Sequence, residues 1–204
     1  MSEDGHPVRR TPTTEDELRA VTIGELKPQL GPIELIDYDP AWPALFEREA
    51  TRIRAALGDR IQLLEHAGST SVPGLAAKPI IDILLVVADS ADEATYLPPM
   101  EATGYVLRIR EPDWHQHRLF KGPDTNVNVH VFSVGCAEIE RMLLFRDRLR
   151  TDAVERASYG GTKRELAARD WRYTQQYADA KGQIVEAIIE RARADRADRA
   201  VGEE

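Results

Sequence analysis

The most apolar stretch of the chain is residues 79–87, in which Ile, Leu and Val surround a single acid, Asp82. The length of this run and its β-branched residues predict a central strand that is buried on both faces. A buried carboxylate is costly unless it is paired or bound to a metal. Asp82 is therefore the most informative acid in the sequence, and the fold has to be built around the strand that carries it.

The composition predicts one globular α/β domain. Its 204 residues, 42% of them hydrophobic, can form one sizeable core but hardly two. A net charge of −8 disfavours nucleic-acid polymers as partners, so a small molecule is the expected ligand. No apolar run reaches the roughly 18 residues of a membrane span, and the polar N-terminus lacks the apolar core of a signal peptide. We expect a cytoplasmic protein without a membrane segment, and no oligomeric state is predicted.

Periodicity along the chain predicts an α/β, or α+β, fold: a mixed sheet with flanking helices and a C-terminal helical half. The predicted strands are residues 33–36, 61–67, 79–87, 105–109, 118–121 and 126–132. The predicted helices are residues 42–57, 91–103 with a break at Pro98-Pro99, and most of the chain from Ala137 onward. Around this domain, residues 29–192, we expect a flexible leader at 1–28 with one helical turn near Glu15–Val21, and a polar tail at 193–204.

A loop with two glycines, Gly68-Ser-Thr-Ser-Val-Pro-Gly74, precedes the central strand. The backbone amides of such a loop can point at an anion, and hydroxyl and ammonium groups supply further donors to phosphate oxygens. The candidate donors are Ser69, Thr70, Ser71 and Lys78. The loop is not a P-loop, because Leu75 stands where that motif needs lysine, and its glycine spacing does not match a dinucleotide-binding fingerprint.

A proline-containing turn between two strands would explain the same loop without a ligand. Asp82 on the following strand favours the functional interpretation. The loop could hold a triphosphate while the carboxylate holds the magnesium ion that bridges the phosphate oxygens. The sequence thus predicts a phosphate-type ligand site on the loop that begins at Gly68 and Ser69.

The run from Glu65 to Asp82, Glu-His-Ala-Gly-Ser-Thr-Ser-Val-Pro-Gly-Leu-Ala-Ala-Lys-Pro-Ile-Ile-Asp, resembles the signature of the GrpB family. That family is placed in the DNA polymerase β-like nucleotidyltransferase superfamily, and some of its members are fused to dephospho-coenzyme A kinase. The similarity extends from about Ile33 to Ala192. It includes residues 36–42, 117–120, 128–132 and 144–150, and also Tyr159, Lys163, Tyr177 and Lys181. The resemblance implies a nucleotidyltransferase-like sheet and metal-dependent transfer of a nucleotidyl group.

The central strand departs from the pattern of the wider superfamily, in which two acids are separated by one apolar residue. Leu84 stands where the second acid is expected after Asp82. Two acids at this spacing face the same side of a strand and together hold a pair of metal ions. One of these ligands is therefore missing.

A polar face on a later strand offers a replacement. Asn126, Asn128 and His130 share one face by alternation, and His130 is expected to take the place of a third carboxylate. The candidate metal ligands are Asp82, His130, His117 and His66. The expected cofactor is a divalent metal, magnesium or manganese, and imidazole ligands would favour zinc, manganese or iron over magnesium. Each histidine taken alone is better explained by packing.

Basic residues near these elements are further candidates for binding phosphate. They are Arg118 and Lys121 on the predicted hairpin, Arg146 in the helix that follows and, through the family resemblance alone, Lys163. The fork geometry of arginine suits phosphate oxygens. Ion pairing on a solvated helix face is the alternative for Arg146, which is followed by an acid.

Three functions remain open from the sequence. The first is a metal-dependent nucleotidyltransferase that moves a nucleotidyl group from a nucleoside triphosphate to a small acceptor. In it, Ser69 and the loop amides hold the phosphates, Lys78 neutralises charge, and Asp82 with His130 positions the metal. The second is a metal-assisted enzyme that acts on another small anionic substrate, which the loss of an acid at Leu84 permits. The third is a non-catalytic module that binds a nucleotide or phosphate.

Overall fold

Residues 13–202 are described by the computed structural model of the protein, so the first part of the predicted leader and the last part of the predicted tail lie outside the described residues. Within this range, one five-stranded mixed sheet has the order β1-β2-β5-β4-β3. The strands are β1 (Leu63–Ala67), β2 (Ile81–Val87), β3 (Val106–Glu111), β4 (His117–Lys121) and β5 (Val127–Ser133). β2 is parallel to β5, and the other neighbouring pairs are antiparallel. The predicted mixed α/β architecture is confirmed.

Helices flank the sheet and form the C-terminal half. In the described part of the chain they are α1 (Glu15–Val21), α2 (Trp42–Leu57), α3 (Leu97–Ala102), α4 (Ala137–Thr151), α5 (Ala153–Ala167), α6 (Thr174–Ala180) and α7 (Gly182–Gly202). Short 3₁₀ segments occupy Gly58–Arg60, Ser69–Ser71 and Glu93–Thr95. Across residues 13–202, no helix combines the length and the apolar character that crossing a bilayer requires.

β2 is buried on both faces, as its sequence predicts. Ile81 and Ile83 pack beneath α2, whereas Leu84 and Val86 pack beneath α4 on the other side of the sheet. Asp82 belongs to the second set by alternation, and it is the one residue of β2 that is not fully buried. The sheet therefore has an α2 face and an α4 face, and Asp82 lies on the α4 face.

The α2 face is a closed hydrophobic core. α2 covers it with apolar residues at helical spacing, which are Trp42, Phe46, Ala50, Ile53 and Leu57. Pro43 lies in the first turn, where a missing N–H costs no hydrogen bond, and Gly58 ends the helix with a φ of 54. Asp82 and the polar residues that pair with it in the strand register therefore lie on the opposite face.

One predicted strand is not formed, and one predicted helix is divided into two segments. Residues 33–36 form no strand: Ile36 exchanges hydrogen bonds of 2.9 Å with Ala77, while the side chain of Ile33 packs among residues of α5 and α6. The helix predicted at 91–103 is divided into the 3₁₀ segment Glu93–Thr95 and α3. The division follows from Pro98, which fits the first turn of a helix but not its interior.

The N-terminal segment contacts both halves of the domain. The helical turn predicted near Glu15–Val21 is confirmed as α1. Ile23 N–H donates to the carbonyl of Arg108 on β3 at 2.8 Å, and Gln29 N–H donates to the carbonyl of Arg172 just before α6 at 2.8 Å. The described part of the expected flexible leader is thus hydrogen bonded to the sheet edge and to the helical half.

Candidate functional site

The backbone of the loop after β1 lies in close contact with the side chain of Asp82. Gly68 has φ 64 and ψ −172, a conformation that residues with a side chain rarely adopt. A Cβ atom at this position would overlap Oδ2 and the side-chain carbons of Asp82. The loop therefore requires glycine at position 68, and it places the 3₁₀ segment Ser69–Ser71 directly beside the carboxylate.

The hydroxyl groups of this loop bind within the protein itself. Thr70 Oγ1 donates to Ile80 O at 3.2 Å, and Ser71 Oγ donates at 2.6 Å to the carbonyl three residues before it. Ser69 is hydrogen bonded to Tyr159 of α5. The backbone N–H groups of Ser69 and Thr70, by contrast, have no partner within residues 13–202. The predicted phosphate donors of the loop are thus its amides, because its hydroxyls are engaged.

Asp82 begins a row of polar side chains that crosses three strands. The strand register pairs Asp82 with Asn128 on β5, and Asn128 with Lys121 on β4. Asn128 Nδ2 donates to Asp82 Oδ1 at 2.7 Å, and Lys121 Nζ donates to Asn128 Oδ1. Burial raises the pKa of Asp82, but His130, Asn128 and Lys78 together lower it by more, so the net shift is downward. The carboxylate is a fixed anion at neutral pH.

Three lysines from separate elements gather around two tyrosines near Asp82. Lys163 Nζ on α5 lies 5.2 Å from the ring centroid of Tyr159. Lys78 Nζ from the loop and Lys181 Nζ at the end of α6 lie 5.6 and 4.6 Å from the ring centroid of Tyr177. In the described part of the chain, none of these ammonium groups has an ion pair or a hydrogen bond. We refer to Lys78, Lys163 and Lys181 as the lysine cluster.

Burial makes the lysine cluster costly to charge. It lowers the pKa of Lys163 to about 7 and the pKa values of Lys78 and Lys181 to about 8. The ammonium of Lys181 contributes to the lowered pKa values of Lys78 and Lys163, whereas the carboxylate of Asp82 opposes the lowering of all three pKa values. An anion bound among these side chains would relieve both the desolvation and the mutual repulsion.

Four of the five lysines of the chain lie around this site. The sequence contains five lysines, and the charge of Asp82 acts to raise the pKa of four of them. These four, Lys78, Lys121, Lys163 and Lys181, concentrate positive charge within a protein whose net charge is −8. The charge of the lysines around Asp82 is therefore opposite in sign to the net charge of the whole protein.

The hydroxyl of Tyr177 is buried and has no hydrogen-bond partner within residues 13–202. A buried polar atom without a partner is rare in native proteins and costs free energy. Burial also raises the pKa of this phenol. Tyr177 thus offers an unused donor at the edge of the lysine cluster.

Three of the four predicted metal ligands lie next to one another on the α4 face, and the fourth, His66, does not. His130 lies on the α4 face, with Nε2 3.7 Å from Asp82 Oδ1. His117 contacts the other ring nitrogen of His130, at 3.1 Å. His66 pairs with Ile83 and therefore lies on the α2 face, where its ring stacks on Phe46 with 4.8 Å between centroids. In the described chain, no group of three His, Cys, Asp or Glu residues is placed to hold a metal ion.

The two predicted phosphate-binding arginines are engaged elsewhere. Arg118 pairs with Val131 and so lies on the α2 face, where its Nε donates to Glu93 at 2.5 Å. Arg118 therefore does not share the α4 face with Asp82, because neighbouring residues of a strand point to opposite faces. Arg146 is buried under an ion pair of 2.7 Å with Glu65 and also donates to a backbone carbonyl. Its charge is already neutralised.

Periodicity alone missed the lysine cluster, although the sequence contains a signal for it. Tyr159 and Lys163 are four residues apart on α5, and Tyr177 and Lys181 repeat the same spacing across α6. Residues at this spacing share one face of a helix. A repeated tyrosine–lysine pair in a chain with so few lysines indicates that the two pairs lie at one common site. Glu65 and Glu111, which hold Arg146 and His117, had no comparable signal.

The family model described as GrpB protein matches residues 32–191. A UPF0157 protein of Halalkalibacterium halodurans is 61% identical over 184 residues, which cover 90% of this chain and 94% of that protein. A dephospho-CoA kinase of Mycolicibacterium paratuberculosis is 31% identical over 164 residues, covering 68% of this chain and 40% of the kinase. The crystal structure of the conserved protein GrpB from Enterococcus faecalis has a TM-score of 0.70 and 32% identity, and it covers 80% of this chain and 99% of that one.

Proposed function

The chain belongs to the GrpB family, and we propose that it is a nucleotidyltransferase that binds a nucleoside triphosphate with magnesium and transfers the nucleotidyl group to a small acceptor. The observation that carries the proposal is the lysine cluster beside Asp82. Its three ammonium groups are desolvated and have no anionic partner within the described residues. A chain of phosphates supplies several negative charges to such a cluster.

The distribution of charge favours a small phosphorylated ligand over a polymer. A nucleic acid requires a broad basic surface, and the acidic surface of this protein repels a long polyanion. The positive charge near Asp82 comes instead from lysines with partly or fully buried side chains around one loop. A nucleoside triphosphate can present its phosphates there without bringing further negative charge to the surface.

The residues fit magnesium as part of the substrate rather than as a resident cofactor. Magnesium commonly keeps several waters and is held by one or two carboxylates together with the phosphates of a nucleotide. Asp82 is a fixed anion without a salt-bridged arginine or lysine, so it can serve as that carboxylate. Glu65, another acid on the α4 face, is neutralised by Arg146.

Each part of the site has a defined task in this proposal. The free N–H groups of Ser69 and Thr70 donate to phosphate oxygens, as expected of a loop that ends in a short helix. The lysine cluster neutralises charge on the phosphates, including the charge that develops on the leaving pyrophosphate. Asp82 orients the magnesium-bound phosphate against the loop. Asn128 and Lys121 keep the carboxylate in place.

Isothermal titration calorimetry tests the proposal. ATP, GTP, CTP and UTP are each titrated into the protein with magnesium and with EDTA. We expect a dissociation constant below about 1 mM for at least one magnesium nucleotide. Lys163→Gln should weaken binding by more than about tenfold, whereas Lys27→Gln, at an exposed position, should not. The absence of binding by all four nucleotides at millimolar concentration would show that the site takes another ligand.

A non-catalytic phosphate-binding module is the second candidate, and Leu84 favours it. This residue is fully buried under α4 and leaves the strand with one carboxylate, whereas two are needed to hold a metal pair. Release of pyrophosphate from the nucleotide that binds, measured with a panel of hydroxyl and amine acceptors, separates the two functions. Tight binding without any pyrophosphate release supports the module.

A further inference from the structure

The hydroxyl of Tyr177 is a buried polar group to which the proposed function gives no task. Only 1% of Tyr177 is exposed, and its hydroxyl oxygen has no hydrogen-bond partner within residues 13–202. A phenol O–H is a hydrogen-bond donor, and leaving it unpaired in the interior costs free energy. The hydroxyl therefore points to a ligand that supplies the missing acceptor.

The ring of Tyr177 is held in place without help from its hydroxyl. It packs against Ile33, Leu166 and Ala167 in a small apolar cluster. The ring of Trp171 meets it edge-on, with 6.3 Å between centroids. These contacts explain an aromatic side chain at position 177, but phenylalanine would make the same contacts without burying a polar atom. The hydroxyl needs a separate explanation.

Two ammonium groups lie close to the ring of Tyr177. Lys181 Nζ is 4.6 Å and Lys78 Nζ is 5.6 Å from its centroid. The two lysines come from different elements, since Lys181 caps the end of α6 and Lys78 belongs to the loop before β2, and neither forms an ion pair among the described residues. Two cations beside one phenol attract an anion, and the phenol can donate to it a hydrogen bond strengthened by charge.

Tyr159 lies between the loop and Tyr177. It is hydrogen bonded to Ser69, and the charge of Asp82 raises its pKa. Burial and the charge of Tyr159 raise the pKa of Tyr177. Counted from the carboxylate, Tyr159 therefore comes first and Tyr177 second. A ligand that begins at Asp82 and the loop amides reaches the hydroxyl of Tyr177 only if it extends past Tyr159.

We propose that the Tyr177 hydroxyl, with Lys78 and Lys181 beside it, binds the terminal phosphate of a polyphosphate chain whose first phosphate lies at the loop and Asp82. The inference rests on the proposed function, because it assigns the far end of the nucleoside triphosphate. Tyr177 is then a specificity-determining residue: a triphosphate reaches its hydroxyl, whereas a diphosphate held at the loop ends before it. Pyrophosphate, which contains the second and third phosphates, keeps the same contact when it leaves.

Inorganic pyrophosphate with magnesium is the first probe, because it tests this end of the site without a nucleoside. Calorimetry of the wild-type protein should show saturable binding. Tyr177→Phe should weaken that binding by about tenfold, the effect of losing one hydrogen bond to a charged group. Urea unfolding should show that the variant is as stable as the wild type or more stable, since the substitution keeps the ring and removes an unpaired hydroxyl.

Tyr96→Phe is the matched control. Tyr96 is a fully buried tyrosine of the α2 face whose hydroxyl donates to the carbonyl of Ser90 at 2.6 Å. Its substitution should lower stability, because it removes a buried hydrogen bond, and should leave pyrophosphate affinity unchanged. If Tyr177→Phe also lost stability and kept its affinity, the hydroxyl would be structural and the proposal would be overturned.

The length of the phosphate chain is tested with the four nucleoside triphosphates and the corresponding diphosphates. For the base that binds best, Tyr177→Phe should weaken binding of the triphosphate by about tenfold and of the diphosphate by less than about twofold. Equal weakening of both, or of neither, overturns the assignment of the terminal phosphate.

These outcomes are separate from the proposed function. A protein whose affinity for magnesium nucleotide is the same in wild type and Tyr177→Phe keeps the function and loses this inference. If no nucleotide binds but pyrophosphate binding still depends on Tyr177, the terminal phosphate site stands and the proposed function fails. Absence of pyrophosphate binding at millimolar concentration overturns the terminal phosphate site.

Discussion

Lys163 Nζ lies 5.2 Å from the ring centroid of Tyr159, one helical turn away on α5, and has no ion-pair partner in the described part of the chain. Only 2% of Lys163 is exposed, so its charge is neither solvated nor paired. An aromatic face compensates only part of the lost hydration. Such an ammonium destabilises the free protein and strengthens the binding of an anion.

Lys163→Met is expected to stabilise the free protein by about 1 to 3 kcal/mol, because it replaces a buried unpaired charge with an apolar side chain of similar size. The same change should weaken binding of magnesium ATP, or of whichever nucleotide binds best, by more than about tenfold. Urea unfolding and calorimetry measure the two effects. A loss of both stability and affinity would indicate a structural role for Lys163.

The lysine cluster predicts opposite effects of pH on stability and on binding. The folded pKa values of about 7 to 8 lie below the ordinary 10.5, so between these limits the unfolded chain binds more protons than the folded protein. The free energy of unfolding should therefore rise as pH increases from 7 to 9. Nucleotide affinity should fall over the same range, by about tenfold per pH unit for each proton taken up on binding. Parallel trends would contradict the assignment.

Asp82→Asn is expected to abolish the magnesium-dependent part of nucleotide binding while leaving binding in EDTA equal or stronger. The amide keeps the volume of the side chain but removes the charge that attracts magnesium and repels phosphate. Calorimetry of the variant with magnesium and with EDTA gives both values. If magnesium still strengthened binding as in the wild type, another residue would hold the ion.

Gly68→Ala tests the contact between the loop and Asp82, and Gly74→Ala is its matched control. Both glycines have positive φ, but an added Cβ meets Asp82 at position 68 and nothing within 4 Å at position 74. Gly74→Ala should cost about 1 kcal/mol of stability through backbone strain, and Gly68→Ala should cost clearly more and also weaken nucleotide binding. Equal costs for the two variants would show that the loop and the carboxylate are not in contact.

Arg118→Met tests whether Arg118 binds phosphate, as the sequence suggests, or serves only as the ion-pair partner of Glu93. Arg118 Nε binds Glu93 on the α2 face, away from Asp82. We expect a loss of stability of about 1 to 3 kcal/mol with no change in nucleotide affinity. A drop in affinity at unchanged stability would restore Arg118 as a phosphate ligand.

The sheet and the loop could be predicted because they depend on local patterns. The apolar run of β2 and the glycines at 68 and 74 identify a strand and a tight turn without knowledge of their neighbours. The position of Asp82 within that strand follows directly. The identification of Asp82 as the central acid of the site rests on the same local information.

The faces of β4 and β1 could not be predicted in this way. His117 and Arg118 are adjacent in sequence, and one of them must point away from Asp82, but which one depends on the register of β4 against β5. The same holds for His66, whose face is set by pairing with Ile83. The lysine cluster requires in addition the packing of α5 and α6 beside the loop, a tertiary arrangement that no single segment encodes.

The placement of the lysines has a consequence for chemical labelling of this protein. Reagents that modify amines react with the neutral form, and burial lowers the pKa of Lys78 and Lys181 to about 8, so they are neutral more often near pH 8 than an ordinary surface lysine is. Lys27 lies on the surface. Attaching dyes, biotin or a sensor surface through amines is therefore expected to modify the pocket lysines as well, and a saturating ligand of the pocket during coupling is expected to restrict the reagent to amines outside it, such as Lys27.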